Sequence, residues 1–233
     1  MDRRKFTCRA LALGGWGCAA TPAAWALTLA DLSDADATAG LRVALERGAL
    51  TAVNLLGRTD GFLGNPKVRI PLPGHLQDAS QLLRTLGQGK RLDRLETAMN
   101  RAAEAAVPEA KALLVNAVKS MSVRDAKQIL RGGDTSVTQF FSSKTREPLG
   151  ARFLPIVSRA TEKVGLARQY NEVVDRVGRF GVVDPQTARI EPYVTAKALD
   201  GLFFMIGEEE KKIRRDPVGT GSSILSRVFG AIR

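Results

Sequence analysis

The chain has 233 residues, with 35 Lys and Arg against 24 Asp and Glu, one histidine and two cysteines. A single imidazole rules out any site built from two histidines, and so few cysteines rule out a disulfide scaffold or a cysteine-rich zinc module. The net charge of +11 favours acidic partners without naming one.

The first 26 residues read as an export signal. Arg3, Arg4, Lys5 and Arg9 make a positive start, residues 10–24 are small and apolar, and Ala24-Trp25-Ala26 is a small-x-small cleavage site. A periplasmic protein starting near Leu27 is expected. Asp2-Arg3-Arg4-Lys5-Phe6 fits a twin-arginine signal, and an ordinary signal that contains two arginines fits as well. Lipid anchoring through Cys18 is a third route, but Gly15 stands where a lipobox carries a branched apolar residue. Cleavage would remove Cys8, Cys18, Trp16 and Trp25, leaving 31 basic against 23 acidic residues and no internal disulfide. No later segment reaches the ~18 continuous apolar residues of a membrane span, so no transmembrane helix is expected in the mature chain.

Helical periodicity dominates the mature chain. Leu41, Leu45, Ala49, Ala52, Val53 and Leu56 lay one stripe along a helix, and Leu76, Ala79, Leu83 and Leu86 repeat it after Gly74. Leu92, Leu95, Met99, Ala102 and Ala106 mark a longer helix, and Pro108 opens another carrying Leu113, Leu114, Ala117, Val118 and Met121. Ser122-Val123-Arg124-Asp125 predicts a capping box, and Gly132-Gly133 the stop of the helix behind it. Separate helical stretches are expected over 134–145, 148–163 and 166–178.

The segment 192–214 is the strongest element, with Val194, Ala198, Leu202, Met205, Ile206 and Ile213 on one face and Phe203 and Phe204 widening it. Phe204 shares a stripe with Lys197 and Gly201, which predicts neighbours on two sides. Glu208 with Lys212, and Glu210 with Arg214, have the spacing of solvated ion pairs. After Asp216-Pro217, residues 224–229 predict a short docking helix. Only 67–72 alternates like a strand, and Pro66, Pro71 and Pro73 confine it to an edge or an isolated extended segment. The expected fold is all-α, a single-domain helical bundle over residues 27–233 with one extended Pro/Gly-rich loop.

Several segments, in this order, resemble a known family. They are Gly61-Phe62-Leu63-Gly64-Asn65-Pro66-Lys67-Val68-Arg69-Ile70-Pro71-Leu72-Pro73, Gly133-Asp134-Thr135-Ser136-Val137-Thr138-Gln139-Phe140-Phe141, Tyr193-Val194-Thr195-Ala196-Lys197-Ala198-Leu199-Asp200-Gly201-Leu202-Phe203, Glu210-Lys211-Lys212-Ile213-Arg214 and Val228-Phe229-Gly230. The chain resembles the bacterial domain-of-unknown-function family 4197 over essentially its whole mature length. The resemblance implies an exported, largely helical envelope protein without an established activity, so it transfers no functional residue. Gly219-Thr220-Gly221 departs from the more polar link of that family and touches only a loop.

Catalytic motifs are missing from the sequence. His75, in Pro73-Gly74-His75, reads as part of a helix entry; Ser142-Ser143-Lys144-Thr145 lacks both Ser-x-x-Lys and Lys-Thr-Gly; Gly89-Lys90 lacks the rest of a phosphate loop; Gly219-x-Gly221 follows no strand. No cofactor and no metal site is expected. Two segments remain as binding surfaces. Phe62 and Leu63 beside Lys67 and Arg69 combine an apolar patch with two cations, although burial of Phe62 and Ile70 at one end of the bundle is the preferred interpretation. Asp134 and Thr135 either grip a ligand or cap the following helix.

Three functions are compatible with these residues. The leading one is a non-catalytic envelope protein that binds a lipid, an apolar small molecule or another envelope protein. The second is a metal-free enzyme using Asp200 or Glu209 with Lys197, which requires those groups to converge. The third is binding to polyanionic surfaces. Nucleic acid is not an expected partner, since no basic stripe is interleaved with aromatics.

Overall fold

The computed structural model describes residues 34–179, 184 and 188–216. The predicted signal peptide, Cys18 and the predicted helix at 224–229 lie outside the described residues. The protein is all-α. Helix α1 (Asp34–Leu56) buries Leu41, Leu45, Ala49, Ala52, Val53 and Leu56, the stripe its spacing demands. After an extended segment come two short helices, α2 (Gly74–Asp78) and α3 (Ser80–Thr85), where one helix is expected from the periodicity. That stripe is weak: Leu76 and Leu83 are partly buried, but Leu86 is exposed, so little apolar area rewards a continuous helix.

Helix α4 (Gly89–Ala106) buries Leu92, Leu95, Met99, Ala102 and Ala106 completely. It runs through a 3-10 turn (Val107–Glu109) that holds Pro108 in its first positions, where no amide donor is needed, and continues as α5 (Ala110–Lys119). Helix α6 (Val123–Arg131) opens on the predicted capping box, in which the Ser122 hydroxyl accepts from the Asp125 amide at 3.1 Å and the Asp125 carboxylate accepts from the Ser122 amide at 2.9 Å. Gly132 stands at its C-terminus as expected.

The two stretches expected over 134–145 and 148–163 form one helix, α7 (Ser136–Thr161), with Pro148 and Pro155 inside it. Each proline removes an amide that would bond the carbonyl four residues back, at Lys144 and Ala151. All four residues are exposed, so water can satisfy both carbonyls. Helix α8 (Gly165–Gly178) follows, and α9 (Ile190–Arg215) closes the described chain. Pro192 falls in the first turn of α9, and the helix packs against α7, α1, α4 and α8, as expected for a central member. Phe203 joins the core and Phe204 does not.

The capping box gives a direct stability test. Hydrogen bonds from the Ser122 amide, then from its hydroxyl, hold the Asp125 carboxyl below its ordinary value. The stabilisation is therefore complete above the ordinary carboxylate range and lost as pH falls through the folded-state value. Ser122→Ala is expected to cost about 1 kcal/mol at neutral pH. In denaturant titrations the deficit should shrink as the pH is lowered past about 4; a deficit independent of pH would contradict this account.

Candidate functional site

The segment between α1 and α2 is a strap tied across α4 and α9. It leaves α1 through Gly57, whose amide bonds the Val53 carbonyl at 2.8 Å, and turns at Asp60 in the left-handed region, φ 63°. Gly61 follows because a Cβ there would meet the Leu56 carbonyl oxygen at 2.4 Å. Buried Glu104 on α4 then takes the strap: one carboxylate oxygen accepts the amides of Phe62 and Leu63 at 3.0 and 3.1 Å, and the other accepts from Arg101 at 2.6 Å. Arg101 also pairs with Asp60 at 2.8 Å, closing a ring of contacts around the turn.

Further along, fully buried Asn100 pairs with both backbone groups of Ile70, accepting at 2.8 Å and donating at 2.9 Å. It thus offers residue 70 what a neighbouring strand would. This explains why 67–72 alternates like a strand yet has no sheet: Val68, Ile70 and Leu72 face the core, while Lys67, Arg69 and Pro71 face outward. Tyr193 on α9 donates to the Pro71 carbonyl at 3.1 Å. Phe62 is 0% exposed and lies against α9 at Gly201, where a Cβ would approach its ring to 2.7 Å. The preferred burial of Phe62 and Ile70 is what the structure has.

The outer face of the strap and the middle of α9 enclose a groove of about 330 Å³ lined by Lys67, Arg69, Lys197, Asp200 and Phe204, with Val68 and Gly201 among the other lining residues. That volume is at the low end of the ~300–1,000 Å³ usual for ligand pockets. Lys67 pairs with Glu208 at 2.9 Å, Arg69 with Glu96 at 2.9 Å and Asp200 with Arg146 at 2.6 Å. These are exposed pairs that contribute little and exchange readily. Lys197 makes no ion pair among the described residues and lies 6.0 Å from the Tyr193 ring. Phe204 is 42% exposed beside them.

Of the residues singled out from sequence, Lys67, Arg69, Lys197 and Asp200 thus share one groove, Phe62 lies beneath it against Gly201, and Leu63 is partly buried and does not line it. Asp134 and Thr135 sit elsewhere, at the α6–α7 turn, both exposed. Thr135 holds the N-cap position of α7 without a capping bond from its side chain, so the expected cap is there by position and not by hydrogen bond. His75 is exposed on α2. Glu209 does not converge with Asp200 and Lys197. It lies nine residues beyond Asp200, ~13 Å along the helix, and is bound to Lys212 at 2.6 Å.

The acidic end of α9 also corrects the expectation of solvated pairs. Glu208 pairs with Lys211 and Lys67, and Lys212 with Glu209. Glu210, its side chain 3% exposed, accepts from Arg214 at 2.8 Å and from Ser136 at 3.3 Å, while Arg214 donates to the Ile129 carbonyl at 3.0 Å. Burial pushes the Glu210 carboxyl up against the opposing pull of Arg214. This ion pair pins the α6–α7 turn onto α9.

Sequence reasoning missed a second surface. Arg91 and Arg94 on α4 and Lys163 in the α7–α8 turn line an open cavity of about 310 Å³ with Val164, Gly165 and Leu166, and no acidic residue lines it. The signal was present as Lys90-Arg91 and Arg94 on the outward side of α4, but only the fold brings Lys163 to them.

With this architecture in view, the family comparison is decisive. Residues 31–230 match the family described as a protein of unknown function, DUF4197. The chain belongs to that family. Neither a curated protein nor a solved structure matches it. In this DUF4197 protein the family match spans the strap, its anchors Asn100 and Glu104, and the groove face of α9. Among its described residues no helix is long and apolar enough to cross a membrane, and no group of three or more His, Cys, Asp and Glu could hold a metal.

Proposed function

We propose that this protein is exported to the periplasm and acts there as a non-catalytic binding protein, its groove between the strap and α9 taking a segment of another envelope protein. The observation that carries this is the exposed Phe204 beside Lys67, Arg69, Lys197 and Asp200. An aromatic anchor ringed by side chains of both signs matches a polypeptide, which offers both charges and an apolar residue, better than it matches a polyanion. The largely apolar, partly open pocket lined by Leu45, Ala49, Val137, Ile206 and Glu210 is only about 20 Å³, room for about one water and not for a lipid chain. A surface groove is accordingly favoured over an interior ligand.

Site-specific photocrosslinking in intact envelopes tests this. A photoreactive residue at position 204 is expected to give a discrete protein adduct, and the same residue at exposed Val173 on α8 is not. Lys67→Glu with Lys197→Glu should reduce the adduct about tenfold by reversing the groove's charge. No adduct at 204, or the same adducts from both positions, would remove the proposal.

A further inference from the structure

A different face carries a second binding site. Leu82 on α3 and Leu86 just after it are 65% and 64% exposed, the most exposed large apolar side chains among the described residues. Their four-residue spacing puts both on the outer side of the turn, where the Leu86 amide bonds the Leu82 carbonyl at 3.0 Å, while Leu83 packs inward against the core. Helix α3 packs against α4, and Arg84 pairs with Asp93 across their exposed edge at 2.5 Å. The first turns of α4 beside it carry Lys90, Arg91 and Arg94. Lys90 and Arg94, also four apart, lie on the stripe opposite buried Leu92, Leu95 and Met99, and Arg91 and Arg94 turn toward Lys163 across their shared cavity.

Two features of this end occur together. Lys90, Arg91, Arg94 and Lys163 form no ion pair among the described residues, unlike Lys67, Arg69, Arg101, Arg146 and Arg189. Beside these unneutralised cations stand two leucines that nothing covers among the described residues. A soluble polyanion would use the cations and leave the leucines in water. A soluble apolar partner would use the leucines and leave the cations without counter-charges. An acidic bilayer satisfies both, with leucines entering the headgroup boundary and cations meeting lipid phosphates.

We propose that the α3–α4 end of this protein docks on a bilayer containing anionic phospholipid, with Leu82 and Leu86 inserted and a headgroup phosphate held between Arg91, Arg94 and Lys163. The site is independent of the groove at Phe204, so either can fail without the other.

Co-sedimentation of the full-length protein with vesicles tests it, comparing phosphatidylcholine alone with phosphatidylcholine containing phosphatidylglycerol. Any contribution of the apolar N-terminal segment is common to all variants, so differences between variants report the site. Arg91→Gln/Arg94→Gln/Lys163→Gln is expected to weaken partitioning onto the acidic vesicles about 100-fold. Lys67→Gln/Arg69→Gln, which removes two charges from another face, should change it by less than about threefold. Leu82→Ser/Leu86→Ser should weaken it at least about tenfold. All these side chains are exposed, and thermal unfolding of each variant verifies that it is folded. Equal loss from the 67/69 variant, equal binding to both vesicle types, or leucine variants that bind acidic vesicles and soluble heparin as the parent does would each overturn the proposal, the last by indicating a general polyanion surface.

Discussion

Glu104→Ala is expected to lower the unfolding free energy by about 3 kcal/mol, although it touches neither the apolar core nor any exposed motif. The carboxylate accepts the amides of Phe62 and Leu63 and is paired with Arg101, itself bound to Asp60. Alanine leaves the buried Phe62 amide without its side-chain acceptor, which is the costly way to lose a hydrogen bond. Glu104→Gln keeps an acceptor oxygen for the two amides but places an NH2 where the second oxygen accepts from Arg101, so it gives up the charge and that one hydrogen bond. That guanidinium is partly exposed, so solvent screens the loss. Its cost should be about 1 kcal/mol. Chemical denaturation of the two variants separates the effects; equal costs would mean that the ion pair, and not the strap's amides, is what Glu104 supplies.

Phe62→Ala should be the most damaging single truncation on the strap, at about 3–5 kcal/mol for an aromatic side chain removed from a closed site. The ring lies against α9 at a glycine, with a Cβ on Gly201 falling 2.7 Å from Phe62 Cε1 and 3.3 Å from Val68 Cβ. Gly201→Ala alone should then cost about 1–3 kcal/mol through overpacking, against a small gain in helix propensity. Combined, the two should cost less than their sum, because the added methyl enters space the ring has vacated. A double-mutant cycle measured by denaturation reads this coupling. Strict additivity would mean that the ring and Gly201 do not share the contact on which the strap is seated.

Much of this arrangement was legible in the residues. The apolar stripes of α1, α4 and α9 have the helical period over several turns, and their burial follows directly. The capping box at Ser122 and Asp125 is a local device of four residues, so its outcome depends on nothing distant. The merger of two expected helices into α7 was not legible, because a proline ends a helix only when the freed carbonyl has no alternative partner, and exposure is a property of the fold. The same holds for Glu210 and Arg214: four-residue spacing identifies a pair but not whether another helix will cover it.

The candidate site divides in the same way. Lys67, Arg69, Lys197 and Asp200 were identifiable as unusual residues in marked segments, yet their common groove requires a strap and a helix some 130 residues apart to meet. Asn100 and Glu104 gave no signal. On a helix of this pattern they read as ordinary polar positions, and their role appears only when the backbone of 62–70 is laid against them. Arg91, Arg94 and Lys163 were overlooked for a similar reason, since a cation in a turn becomes part of a cluster only through the packing of α4 against the α7–α8 turn.

Everything proposed for the groove depends on the strap being a fixed part of the bundle and not a loop lying over it. Native-state hydrogen exchange of the Phe62, Leu63 and Ile70 amides tests this most directly, because each is bound to a buried side chain of α4. Protection approaching that of the α4 amides around Ala102, reached only through large-scale unfolding, is the expected result. Exchange of the three amides at the rate of an exposed loop, with α4 still protected, would contradict it.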